Sequence, residues 1–302
     1  MALMTAMPRV CSIHFLFLFA LFVSPTASAQ VFTGPAASAA GGGGRAAVDP
    51  GETAFLNPAS IAFLQKYNVS LFYGAAKHPR EGEQNFMAAS LADGTQDNIV
   101  SGALSYVRKR TDLSTAVGIV SDTQQDIQAA LSGFALRKFA FGVAGHRLTD
   151  QILSATAGSE YSQLNAHVGV IFVPIEMIGI GFVAYDVLPT SESVAANYRL
   201  VPTHALAFNF LPAPQFRARL DFVRPDTMNP DRRINVNVGI ETTFKEMLVL
   251  RLGSFWRETA DQTYLTGGFA FQGPKLSFDY SYQTDNRSPD NARHLVDLWI
   301  VL

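Results

Sequence analysis

The chain carries almost no thiol chemistry: one cysteine in 302 residues. Cys11 lies ahead of the N-terminal apolar run, so a chain cleaved after that run has none. That excludes disulfides, thiolate metal sites and cysteine nucleophiles from the mature part. Charge is scarce as well. Asp, Glu, Lys and Arg make up 16% of the residues, against about 25% in ordinary soluble domains. The net charge is -2, so there is no basic footprint for nucleic acid. The histidines show no His-x-x-x-His spacing and no Cys-x-x-Cys pair occurs, so no metal or other cofactor is expected. Without a Gly-x-Ser-x-Gly elbow or a legible Ser/His/acid set, no catalytic residue is expected and the chain reads as a non-enzyme. Beyond the N-terminus there is no run of 18 apolar residues, hence no membrane-spanning helix.

What is present begins with an export signal, residues 1–29. Arg9 supplies the positive start. Ile13 to Val23 is apolar but too short to cross a bilayer, which takes about 20 residues. Ala27-Ser28-Ala29 offers small residues at the cleavage point, so the mature chain is expected to start at Gln30. Mean hydropathy is nonetheless +0.14. An exported, apolar chain without spanning helices is either a soluble protein with a large core or a barrel whose apolar side chains face lipid.

The period of the apolar residues separates these. Leu276, Phe278, Tyr280 and Tyr282 alternate with Lys275, Ser277, Asp279 and Ser281, which is the strand period. Ile234, Val236, Val238 and Ile240 repeat it, as do Phe216, Ala218, Leu220 and Phe222. The segments run about 9–11 residues, the length of a tilted membrane-spanning strand, whereas sandwich strands are nearer 5 or 6. Strands are expected near 67–76, 84–92, 98–108, 126–136, 139–148, 161–173, 176–187, 203–211, 215–224, 233–243, 247–257, 263–272, 275–284 and 293–302. Leu113–Val120 alternates too, so one pair more or fewer stays open. Tight turns such as Arg137-Lys138 and Gly273-Pro274 interleave with longer polar stretches such as Arg110–Gln125 and Leu188–Pro202. Short inner turns and longer outer loops are the rhythm of an outer-membrane barrel, and an even strand count puts both mature termini on the periplasmic side. The fold class is therefore all-β: an antiparallel up-and-down barrel of about 14 strands, residues 67–302, preceded by segment 30–66.

Two stretches resemble a known family. Gly41, Gly42, Gly43 and Gly44, then Val48-Asp49, then Asn57-Pro58-Ala59, are similar to the N-terminal hatch of the long-chain fatty-acid outer-membrane transporters (FadL-like) and their PorV-like relatives. Lys275 to Tyr282, then His294 to Leu302, resembles the last hairpin of the same families. The resemblance implies a fourteen-stranded barrel plugged by residues 30–66, with the plug lining a path for apolar ligands. The chain is short for a fatty-acid transporter, and Leu302 stands where the last residue is usually aromatic.

Candidate plug and ligand-path residues are Gly41, Gly42, Gly43, Gly44, Asn57, Pro58 and Ala59. The register also turns Arg217, Arg219, Asp221, Arg233, Glu241, Arg251, Asp279 and Asp297 inward, because a charge facing lipid costs about 2–4 kcal/mol near the midplane. These charges read either as a polar conduit or as a self-neutralising ladder. Small inward residues at Ala140, Gly142, Ala144, Gly179, Gly181 and Gly268 leave room on the wall. The expected function is a passive channel for small, fatty-acid-like hydrophobic compounds in the outer membrane of a Gram-negative-type bacterium. The alternative is a non-transporting scaffold that holds an envelope or secretion protein. The surrounding partner in both cases is outer-membrane lipid.

Overall fold

The computed structural model describes residues 32–78, 82–94, 99–115, 118–154, 157–226, 234–257 and 261–302. The expected signal, its cleavage site and Arg233 lie outside them. Fourteen strands form one closed antiparallel barrel in sequential order. They are β1 (Asn68–His78), β2 (Gly82–Asp93), β3 (Ser101–Thr115), β4 (Gly118–Leu136), β5 (Phe139–Leu153), β6 (Gly158–Ile175) and β7 (Ile178–Tyr185), then β8 (Thr203–Ala213), β9 (Phe216–Pro225), β10 (Asn235–Phe244), β11 (Leu248–Arg257), β12 (Gln262–Gln272), β13 (Leu276–Asp285) and β14 (Ala292–Val301). The ring closes where β1 pairs with β14, from Asn68 opposite Val301 to Lys77 opposite Ala292. Closure gives every strand two neighbours, which a lipid-embedded sheet requires.

Alternation decides which side faces what. On β3, Ser101, Ala103, Ser105 and Val107 are buried, while Leu104 and Tyr106 are exposed. Leu71, Ile127, Leu164, Phe182, Leu252 and Leu298 are likewise exposed on other strands. Large apolar side chains thus cover the outer wall, as they do on a barrel that sits in hydrocarbon.

Two departures from the sequence reading concern lengths. The stretch expected as a loop at 110–125 is the upper part of a long β3–β4 hairpin, paired out to Thr115 opposite Gly118. Residues 113–115 and 118–120 pair with each other within that hairpin, so this stretch adds no separate strand pair. In contrast, β7 stops at Tyr185, while β6 continues outward and stays paired only with β5. The chain 186–202 fills that notch, with Val187 N–H donating to Ala166 O at 3.0 Å.

Inside the ring lies the N-terminal segment, buried nearly throughout from Phe32 to Leu64. It contains two short helices, α1 (Pro35–Ala39) and α2 (Thr53–Leu56), and a 3₁₀ turn at Pro58–Phe63. Pro35 and Pro58 each open a helical turn, where a missing N–H costs nothing.

Candidate functional site

The segment meets the wall through two chemically different halves. Toward β9–β13 the contact is ionic. Arg45 Nη1 is 3.0 Å from Asp221 Oδ2, and the same carboxylate oxygen accepts the Gly44 and Arg45 N–H groups at 3.0 and 3.2 Å. Asp49 accepts from Arg219 Nη1 at 2.6 Å and Nη2 at 3.0 Å, with Arg217 Nη1 at 3.4 Å. Glu241 takes Arg219 at 3.0 Å, Arg251 at 2.6 Å and Arg217 at 3.3 Å. Arg251 continues to Asp279 at 2.5 Å, and Trp299 Nε1 donates to the other oxygen of Asp279 at 3.0 Å. Four arginines and four carboxylates interleave in this lattice, so the buried charges cancel where an unpaired one would be costly.

Toward β1–β3 and β14 the contact is mainly apolar, with Arg293 of β14 stacked over the Phe86 ring at 4.4 Å and Ser90 Oγ donating to Gly51 O at 3.0 Å. Phe32, Phe55 and Phe72 meet edge to face, with ring centroids 5.1, 5.1 and 5.8 Å apart. Phe86, Val107 and Leu295 complete that cluster. Farther round, Ala54, Ile61 and Leu64 pack on Ala92, Ala103, Ala130 and Ala144. This half is held by dispersion and burial, which have no preferred direction and tolerate sliding better than ion pairs do.

The glycine run lies across the polar half. Gly41 and Gly42 have φ of 69° and 74°, a left-handed turn that favours residues lacking Cβ. Gly41 N–H donates to Thr266 Oγ1 at 3.0 Å, and Gly42 O accepts from Asn237. A Cβ at Gly43 would sit 3.5 Å from Asp221. Asn57 is fully buried and does three things. Its Oδ1 accepts from Ala59 N–H at 3.0 Å, and its Nδ2 donates to Arg45 O at 2.8 Å and Val170 O at 3.3 Å. Pro58 starts the 3₁₀ turn, and Ala59 O accepts from Ser132 Oγ at 3.1 Å.

Arg217, Arg219, Asp221, Glu241, Arg251 and Asp279 therefore converge on one lattice. Asp297 stands opposite Asp279 across the β13–β14 pair, and its Oδ1 has no hydrogen-bond partner among the described residues. Arg257, at the end of β11, and Lys275, just ahead of β13, are exposed. The wall glycines mark where the segment's backbone presses against strands. A Cβ at Gly142 would overlap Pro58 and Ala59, one at Gly181 would come within 2.6 Å of Arg45 O, and one at Gly268 within 2.7 Å of Ala39 Cβ. Gly169, Gly239 and Gly253 belong to the same track and have no counterpart in the sequence reading.

The partners that complete the lattice, Arg45 and Asp49, come from the segment. Nothing in a single sequence pairs them with strands about 170 residues away. Glu52 is a further buried acid there. Its carboxyl accepts Ala36 N–H at 2.6 Å and Ala37 N–H at 3.1 Å. Burial pushes its pKa up to about 8, Asp49 pushes the same way, and the two amide donors offset only part of this.

A second polar cluster lies at the base of the β7 notch. His146 on β5 has Nδ1 2.9 Å from Asp126 and Nε2 2.9 Å from Asp186. His167 on β6 accepts Asp186 N–H at its Nδ1, 3.1 Å away, and stacks against His146 with ring centroids 4.3 Å apart. Tyr185 beside them donates to Leu56 O of the segment. Helical metal-ligand spacings do not describe this set, because adjacent strands assemble it.

No family model matches the chain, and no curated protein matches it. Solved structures do. CymD, a monoaromatic hydrocarbon channel, superposes with a TM-score of 0.70 at 14% identity, over 90% of this chain and 97% of that one. The toluene transporter TbuX of Ralstonia pickettii gives 0.69 at 12%, over 90% and 97%. A FadL homologue of Pseudomonas aeruginosa gives 0.59 at 10%, over 89% and 98%. At these identities the likeness is one of fold, a FadL-like barrel over nearly the full length of each partner.

Proposed function

We propose that the chain is an outer-membrane channel that passes small hydrophobic compounds by passive diffusion, with residues 30–66 acting as the plug. The observation that carries this reading is the unequal seating of the segment. Its polar half is anchored to β9 by ion pairs that continue across β10, β11 and β13, while its apolar half rests mainly on phenylalanine, valine and alanine side chains of β1–β5 and on Leu295 of β14. An apolar solute moving between plug and wall on the second side replaces one apolar contact by another. A polar solute would have to strip its hydration there, at a cost of roughly 2–7 kcal/mol per unpaired group. The solved structures with this fold that are described as hydrocarbon channels and toluene transporters support the same solute class. In this reading the signal 1–29 is removed on export, residues 67–302 form the barrel, and both mature termini face the periplasm.

The test is uptake into liposomes holding the mature chain, with toluene, a labelled long-chain fatty acid and a small sugar supplied separately. Faster entry of toluene or the fatty acid than in empty liposomes, with the sugar excluded, supports the channel. Equal rates for all three, with and without the protein, refute it.

A scaffold that holds an envelope or secretion protein is the second reading. The glycine track favours it, since backbone pressed against wall resists plug movement. It predicts a protein partner recovered by crosslinking in native membranes.

A further inference from the structure

We infer that His146, His167 and Asp186 form a binding site for one divalent transition-metal ion, which clasps the 186–202 chain into the β7 notch. Three observations converge on it. One ligand atom from each residue lies within 4.8 Å of the others, the only such group of three among the described residues. Zinc with bonds of about 2.0 Å in tetrahedral geometry holds its ligands about 3.3 Å apart, so the site needs to close by about 1.5 Å at most. Asp186 is fully buried, yet its Oδ2 has no hydrogen-bond partner among the described residues. The carboxylate thus has a free lone pair in a place that water does not reach.

The nitrogens are prepared for the same ligand. His146 Nδ1 is held by Asp126 at 2.9 Å, which leaves Nε2 directed at Asp186. A carboxylate behind a ligating imidazole is the usual support of a metal-binding histidine. His167 Nδ1 accepts the Asp186 N–H, so that nitrogen carries a lone pair and no proton. An arriving ion takes His146 Nε2, His167 Nδ1 and the Asp186 carboxylate; it displaces the hydrogen bond from the Asp186 N–H to Nδ1 and releases the proton that His146 shares with Asp186. Two imidazoles and one carboxylate suit zinc, cobalt(II) or nickel(II) better than calcium or magnesium.

The position says what the ion does. Asp186 follows the last residue of β7 and has φ of 54°. It opens the chain that covers the unpaired upper part of β6, where Leu188 N–H and O both bond the Asn165 side chain. Joining it to β5 and β6 fastens that cover. The site does not depend on what the barrel passes.

The experiment uses the untagged mature chain, folded in detergent, stripped with a chelator and titrated with zinc, and separately with cobalt(II) to read its visible absorption bands. The expected result is one ion per chain, slower hydrogen exchange across 186–202, and loss of both in Asp186→Asn. Asp126→Asn, which changes only the support, weakens binding about 10–100-fold. Folding of each variant is checked by its heat-modifiable mobility on gels, and His167→Gln replaces Asp186→Asn if the latter does not fold. No saturable uptake by the folded wild type overturns the site, as does uptake unchanged in the folded variant.

Discussion

Asp49→Asn isolates the ionic anchor from everything else in the molecule. The amide keeps the shape of the side chain and removes its charge. Arg219 loses a bidentate partner at 2.6 and 3.0 Å, and Arg217 loses one at 3.4 Å. The lattice is left with four arginines (Arg45, Arg217, Arg219, Arg251) against three carboxylates (Asp221, Glu241, Asp279). Removing one partner of a buried pair costs about 3–5 kcal/mol. At 1.4 kcal/mol per factor of ten, the equilibrium that seats the segment should fall between about 10²-fold and about 4 × 10³-fold. The barrel's own ladder contributes none of those bonds, so its heat-modifiable gel shift should persist. Hydrogen exchange over residues 35–62 reads the effect directly, with exchange in β1–β14 as the internal control. Arg219→Gln added to Asp49→Asn restores neutrality, three charges against three, and should recover part of the lost protection. Unchanged exchange in the single variant, or strictly additive losses in the double, would refute the anchor.

Other perturbations address other contacts. Gly239→Val sets a branched side chain against the Ala40 carbonyl and Cβ, and overpacking of this kind costs about 1–3 kcal/mol; faster exchange at residues 36–44 checks it. Glu52 is the pH-sensitive element of the segment. Its pKa is raised to about 8 from an ordinary 4.5, so its stabilisation is full below about pH 4.5 and is lost as pH rises through 8. Intrinsic-rate-corrected exchange at Ala36 and Ala37 should therefore accelerate from pH 5 to pH 9 in the wild type and stay flat in Glu52→Gln. Phe55→Ala removes one ring of the Phe32–Phe55–Phe72 cluster. It should raise toluene flux into liposomes while leaving the sugar excluded; a sugar leak would place the permeation path elsewhere.

The barrel was legible because its signal is local. Alternation at Ile234–Ile240 or Leu276–Tyr282 follows from one strand facing lipid and lumen, and needs no knowledge of distant residues. Strand ends were less legible. The stretch Leu113–Val120 alternates and also carries turn-forming residues, and only pairing with the partner strand decides between a loop and a continued hairpin. Short β7 was likewise hidden, since Asp186 leaves the sheet through a left-handed backbone that Asp tolerates. The lattice was half legible. Lipid excludes charge, so the inward direction of Arg219, Glu241 and Arg251 can be read from register. Their segment partners Arg45 and Asp49 cannot, because contact across some 170 residues leaves no periodic trace. The His146, His167 and Asp186 set was invisible for a similar reason: ligands on neighbouring strands are separated by the length of a hairpin, which varies freely.

The most direct measurement of the account is toluene and sugar entry into liposomes holding either the intact mature chain or one lacking residues 30–66. The plugged-channel account predicts toluene entry through the intact protein with sugar excluded, and entry of both once the segment is removed. No toluene entry through the intact protein, with both solutes passing only after deletion, would contradict it and leave a sealed barrel.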